Sequence, residues 1–143
     1  MATQQPSFNV GTFVAGADLS ANQFQGVKLS AGKWVLATAA GERLAGILQN
    51  KPKLDEEADV AGLGVVKWKA SAAITAFDPL ATTATGTAKT AVAASVNTSD
   101  AGVVADPVVG SYVMGIALEA AAAANELISV LLVPMGAVPT TAA

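Results

Sequence analysis

The sequence predicts a mainly β protein: a small β-barrel or β-sandwich body with short helical turns and extended N- and C-terminal segments. Strand-sized apolar pieces such as VKL, KWVLAT and ELISVLLV recur at short spacing along the chain. Turn-forming Gly, Pro, Asp and Asn residues separate these pieces. The longest alanine run, residues 120–124, is far shorter than the roughly 12 residues that an isolated helix needs.

The chain divides into three parts. Residues 1–12 carry no charged side chain and no clear periodicity, which predicts an extended N-terminal arm that is disordered unless something holds it. Residues 13–136 form a single β-rich domain, and residues 137–143 form a flexible C-terminal tail. Within the domain, Asp18 or Ser20 is a candidate cap for a helical turn at residues 18–25, and residues 120–124 are a candidate for a second. Residues 96–107 are expected to be a loop.

The apolar stretch at residues 115–134 has the length of a membrane span, but Glu119 and Glu126 interrupt it. A carboxylate inside the bilayer is costly, so the sequence predicts no membrane segment here. We expect two core strands joined by an alanine-rich turn. The second strand, ELISVLLV, is apolar on both faces and is therefore expected to be buried on both faces. The N-terminus lacks the basic start and apolar run of a secretory signal, so the chain is expected to be made in the cytoplasm.

Two segments of the chain contain the same sequence features in the same order. Residues 42–65 and residues 111–133 each contain an apolar pair, a Gly-Ile step, a second apolar step, a loop and a strand. Gly46 thereby matches Gly115, and upstream the VKL of residues 27–29 aligns with the DPL of residues 78–80. The pattern supports the hypothesis of two related halves of one barrel. Chance similarity between small-residue β sequences is the alternative.

Composition argues against most enzymatic chemistry. The chain contains no cysteine and no histidine, which removes disulfides, thiolate metal sites and the commonest general base. The carboxylates of residues 55–57 lack the spacing of a calcium loop, and the serine and threonine hydroxyls have no adjacent base. The net charge is −3 with scattered basic residues, so no nucleic-acid footprint is present. The sequence predicts no enzyme, no cofactor and no metal.

The same composition favours association with other chains. Charged residues make up 13% of the sequence, roughly half the usual share, and alanine occupies 32 positions. Small side chains make a thin core, and a surface poor in charge is weakly protected against association. An alanine-rich monomer is the alternative. Trp34 and Trp68 leave a second alternative open, a glycan-binding module, which exposed indole rings would favour.

Four stretches, AGADLSANQFQGVKL, GKWVLATAAGERLAGILQNKP, ADVAGLGVVKWKASAAITAFDPL and YVMGIALEAAAAANELISVLLVP, follow each other between residues 15 and 134. In this order they resemble the small capsid decoration (cement) proteins of tailed bacteriophages, a domain of unknown function in phage head gene clusters. The resemblance implies a β-rich homotrimer that binds the major capsid protein on the outer surface of the expanded head and stabilises the shell. It implies a virion location and no direct contact with nucleic acid or membrane. A tail or fibre subunit is the structural alternative.

The N-terminal arm is the candidate capsid-binding segment. It is uncharged, and its backbone groups can add a strand to an exposed sheet edge while alternate side chains fill pockets. Phe8 is its large apolar anchor. A frayed terminus without a function is the alternative. The candidate residues are Gln4, Gln5, Pro6, Ser7, Phe8, Asn9 and Val10.

Overall fold

A computed structural model describes residue 2, residues 7–92 and residues 110–137. It consists of one antiparallel sheet curled into a half-barrel, which confirms the mainly β class. The sheet order is β3-β2-β4-β5-β9-β8-β6-β7, and β1 pairs with β5. The strands are β1 (Ser7–Asn9), β2 (Gly26–Ser30), β3 (Lys33–Leu36), β4 (Gly46–Leu48), β5 (Val60–Lys69), β6 (Pro79–Thr82), β7 (Ala88–Thr90), β8 (Tyr112–Ala117) and β9 (Leu127–Ala137).

The structure corrects the two expected helical turns. Residues 18–25 and 120–124 form turns and bends, and no helix occurs in either stretch. Phe24 and Asn125 have left-handed backbone angles, with φ of 64° and 70°, which interrupt a right-handed helix. The alanine run is also tied to the rest of the protein by a bridge between Ile74 and Ala121. The hydrogen bonds of the sheet therefore outweigh the local helix propensity of these residues.

Two units with the same topology build the sheet. The first unit spans residues 7–63, and the second spans the described residues from 64 to 137. In the first, β2 pairs with β3 and β4, and β4 pairs with the start of β5. In the second, β6 pairs with β7 and β8, and β8 pairs with β9. The long strand β5 ends the first unit and begins the second.

The strand registers of the two units agree. Val27 lies opposite Gly46 across β2 and β4, and Leu80 lies opposite Gly115 across β6 and β8. The match of the two Gly-Ile steps is therefore confirmed. The alignment of VKL with DPL is wrong by two positions, because Leu80 corresponds to Val27 and not to Leu29.

The turn that leads into each hairpin is repeated as well. Phe24 donates its N–H to the carbonyl of Leu48 at 2.8 Å, and Phe77 donates to the carbonyl of Ala117 at the same distance. Both phenylalanines have left-handed φ angles, 64° and 70°, which are uncommon for a bulky residue. The repeat thus extends to backbone conformations that ordinary side chains avoid.

Each unit has its own apolar core, and corresponding positions in the two cores carry side chains of different size. Trp34 on β3 fills the first core, and the corresponding position on β7 is Ala88. In the second core the indole comes from Trp68 on β5, and the equivalent bridges of Ala15 and Ala70 make Phe13, which is 39% exposed, its counterpart in the first unit. The exchange keeps both cores filled while it removes sequence identity. The buried members of the first core are Ala15, Leu19, Val27, Trp34, Leu48, Ala58 and Val60.

The outer face of the first unit packs against the second unit. Ala37, Leu44, Ile47 and Ala61 are at most 5% exposed and belong to the core cluster of the second unit. Backbone hydrogen bonds join the units as well, such as the 2.8 Å bond from the N–H of Gly41 to a carbonyl of β6. The two units therefore form one body.

Glu42 stabilises the loop that makes this contact. Burial raises the pKa of its carboxyl, but the hydrogen bond from Lys28 at 2.7 Å and those from the Thr38 and Ala39 N–H groups outweigh burial. The net pKa is lower than usual. A lowered folded-state pKa contributes stability that is present above the ordinary carboxyl pKa and is lost as the pH falls through the folded value.

We therefore expect the free energy of unfolding to fall as the pH is lowered below about 5. In Glu42→Gln this fall should be shallower, because the group that takes up the proton is gone. Urea unfolding at a series of pH values measures both slopes. Glu57→Gln, an exposed carboxylate for which no hydrogen bond from a Lys is found among the described residues, is the matched control. An identical pH slope in wild type and Glu42→Gln would contradict this role.

Candidate functional site

The structure places part of the predicted capsid-binding arm in the sheet. Ser7, Phe8 and Asn9 form β1, which pairs with β5 so that Phe8 lies opposite Leu63. Val10 donates its N–H to a carbonyl of β5 at 2.7 Å and packs against the first core. The protein's own β5 thus holds these four residues. Gln4, Gln5 and Pro6 lie outside the described residues, as do the expected loop at residues 96–107 and residues 138–143 of the expected C-terminal tail.

Phe8 and Leu63 form an exposed apolar pair. Residues directly opposite each other on neighbouring strands share a face of the sheet, and the two side chains are 73% and 43% exposed. A phenylalanine this exposed gains little burial from the fold of its own chain. We call these two residues the arm pair.

A second apolar surface lies on the outer face of the second unit, where Val65, Leu131, Ile116 and Pro79 are successive register partners across β5, β9, β8 and β6. Pro79 is exposed and the other three are partly exposed. On the opposite face of the same strands, Val66, Val130, Ala117 and Leu80 are buried. We call these four residues the apolar row.

The apolar row corrects one expectation. ELISVLLV was expected to be buried on both faces, but Leu131 and Val133 on its outer face are partly exposed. The signal for this surface was present in the sequence as a strand apolar on both faces. The sequence does not show which faces of a strand other elements cover, so a strand that is apolar on both faces is expected to lie in the core.

The carboxylates that the sequence singled out have local structural roles. Glu56 and Glu126 occupy corresponding positions, and each accepts a backbone N–H within its own turn, from Lys53 at 2.7 Å and from Ala122 at 2.9 Å. Glu119 accepts a backbone N–H of β9 at 2.7 Å. Within the described ranges no three potential ligands cluster as a metal site. In the same ranges no helix is both long and apolar enough to cross a membrane.

Both tryptophans lie inside the protein. Trp34 is 1% exposed and stacks edge-on against Phe13 with ring centroids 5.6 Å apart. Trp68 is 0% exposed and donates its Nε1–H to the carbonyl of Gly86 at 2.8 Å. Neither indole presents a face on which a sugar ring could stack. A glycan-binding module would be favoured by an exposed tryptophan, and neither Trp34 nor Trp68 is exposed.

Comparison with known proteins shows a shared fold. Neither a family model nor a curated protein matches the chain. Among solved structures, the crystal structure of the N base of the head fiber gp8.5 in bacteriophage phi29 superposes with a TM-score of 0.60 at 18% sequence identity. The match covers 90% of this chain and 98% of that chain. The chain thus has the fold of the N base of a phage head fiber.

Proposed function

We propose that this chain is a structural protein of a bacteriophage head. In the proposal it is a decoration protein that binds the major capsid protein on the outer surface of the head as a homotrimer and stabilises the shell. The observation that carries the proposal is the fold likeness to the N base of a phage head fiber over nearly the whole length of both chains. The fold likeness supports the head assignment only, and the decoration role and the homotrimer rest on the ordered sequence resemblance to capsid decoration proteins.

The surface supports a role in assembly. Charged residues are only 13% of the sequence, and large apolar side chains are exposed at several places. Exposed apolar patches on a soluble protein mark interaction sites. The arm pair and the apolar row adjoin each other, because Leu63 and Val65 are two residues apart on β5.

The arm pair is the proposed contact with the major capsid protein. Phe8 is a large side chain with no burial to gain in its own chain, and aromatic anchors dominate binding energy at protein interfaces. Its strand is fixed by pairing with β5, so less chain entropy is lost on binding than for a disordered arm. Three arms on one trimer would add avidity.

We expect Phe8→Ser to weaken binding to undecorated capsids by about tenfold or more, because an interface anchor is removed. Co-sedimentation of the purified protein with capsids measures this. Phe77→Ser is the matched control, since Phe77 is 76% exposed and lies on the second unit. Deletion of residues 2–6 tests Gln4, Gln5 and Pro6 without removing β1. If Phe8→Ser binds as tightly as the control, the capsid contact lies elsewhere.

A second candidate function is the base of a head fibre. The structural neighbour named in the comparison is such a base, so the same fold can serve attachment without stabilising a shell. The two roles differ in a measurable way. A decoration protein should raise the temperature at which capsids open when it is added back, whereas a fibre base should bind and leave that temperature unchanged.

A further inference from the structure

The internal repeat shows how the face that corresponds to the apolar row is covered in the first unit. Ile47 and Ala61 in the first unit correspond to Ile116 and Leu131 in the row, since each pair faces across equivalent strands in the same register. Ile47 and Ala61 are 0% exposed because they pack into the core of the second unit. Ile116 and Leu131 are partly exposed. The same face is therefore buried in one unit and open in the other.

The surface against which this face packs also occurs in both units. The second core is covered by the first unit, whereas the first core ends in the partly buried side chains of Val10, Leu36 and Ala45. We call these three residues the open end. Ala45 corresponds to Met114, which is 0% exposed in the second core. The open end thus lacks the cover that its counterpart has.

A groove beside the open end is empty on the first unit, whereas the corresponding place on the second unit is filled. It is lined by Lys28, Leu29, Arg43, Leu44 and Ala45. At the corresponding place in the second unit, Gly41 of the first unit donates to the carbonyl of Thr82 and accepts from the N–H of Tyr112, at 2.8 and 2.9 Å. A loop of the first unit therefore fills on the second unit a place that stays open on the first.

We propose that the apolar row of one copy of this chain packs over the open end of a second copy. This contact would repeat between chains the contact that the two units make within one chain. It is heterologous, because each copy presents its row on one side and receives a row on the other. Copies then add head to tail, and a closed ring leaves neither surface exposed. The inference rests on the proposed function in one respect, that copies of the chain associate.

Cysteine cross-linking tests the pairing directly, because the natural chain has no cysteine. Ile116→Cys and Ala45→Cys proteins, distinguished by a mass tag, are mixed and treated with a short bifunctional maleimide. We expect cross-linked dimers that contain one chain of each kind, and no dimers from either variant alone. Dimers formed by Ile116→Cys alone would indicate a face-to-face contact and overturn the proposal, as would a mixture that yields none.

A charge placed in the row gives a second test. Leu131 points outward and is partly exposed, so Leu131→Lys should leave the fold intact, which circular dichroism checks. We expect self-association, measured by analytical ultracentrifugation, to weaken about tenfold or more. Leu54→Lys, at a residue 56% exposed in a loop of the first unit, is the matched control and should associate as wild type does. Equal association of Leu131→Lys and Leu54→Lys would overturn the proposal.

Neither experiment uses capsids, so the two proposals can fail separately. Chains that cross-link as expected but do not bind capsids would refute the head function and support this contact. Chains that bind capsids but give no mixed cross-link would refute the contact and leave the head function standing.

Discussion

Gly46→Ala and Gly115→Ala are each expected to destabilise the protein by about 3 kcal/mol or more. A Cβ at position 46 would lie 2.2 Å from the carbonyl oxygen of Ala61, and one at position 115 would lie 2.3 Å from that of Leu131. The obstacle is backbone within a paired strand, which cannot rotate away as a side chain can. Thermal and urea unfolding measure the loss. The two effects should be similar because the two glycines are counterparts in the repeat.

Gly32→Ala is the control for these variants. Gly32 has a left-handed φ of 75°, but apart from its chain neighbours no heavy atom of the described residues lies within 4 Å of the position that a Cβ would take. Only backbone strain of about 1 kcal/mol therefore applies. The contrast separates strain from collision. Wild-type stability in Gly46→Ala, or a loss no larger than that in Gly32→Ala, would contradict the close approach of β4 and β5.

Trp68→Ala is expected to have the other large effect, a loss of about 3–5 kcal/mol. Trp68 is fully buried in the second core and is among the largest buried side chains of the described residues. Its removal leaves a cavity that the surrounding strands cannot close, because β5 is paired with β9 along this stretch. Its indole also bonds Gly86, whose carbonyl accepts the N–H of Gly26 at 2.6 Å in the contact between units.

Comparison of Trp68→Phe with Trp34→Phe separates the hydrogen bond from the packing. Both changes remove a similar volume from a core. Trp68→Phe also removes a hydrogen bond, whereas the Nε1 of Trp34 is buried without a partner among the described residues. Removing an unpaired buried N–H relieves a cost, so Trp34→Phe should lose less stability. A larger loss in Trp34→Phe would argue against this assignment.

The fold class and part of the repeat could be predicted from sequence because both depend on local signals. Short apolar runs between turn residues identify strands, and the Gly-Ile steps mark two of the sites where neighbouring backbones approach closely. The rest of the repeat is hidden because the cores exchange side chains of different size. Trp34 against Ala88 and Phe13 against Trp68 leave no identity to align, although the strand pairing is the same.

The candidate site was less predictable because it depends on which faces other elements cover. The arm was expected to need a partner, and β5 of the same chain provides one for residues 7–10. The outer face of β9 was assigned to the core because Leu131 and Val133 are as apolar as buried residues. Only the three-dimensional arrangement separates the covered Ile47 from its open counterpart Ile116.

We propose above that this chain is a structural protein on the outside of a phage head. Cryo-electron microscopy of particles with and without the protein tests it most directly. We expect additional trimeric density on the outer capsid surface, with β1 of each chain against the major capsid protein. Heads with no additional density, density confined to the tail, or single chains scattered over the surface would contradict it.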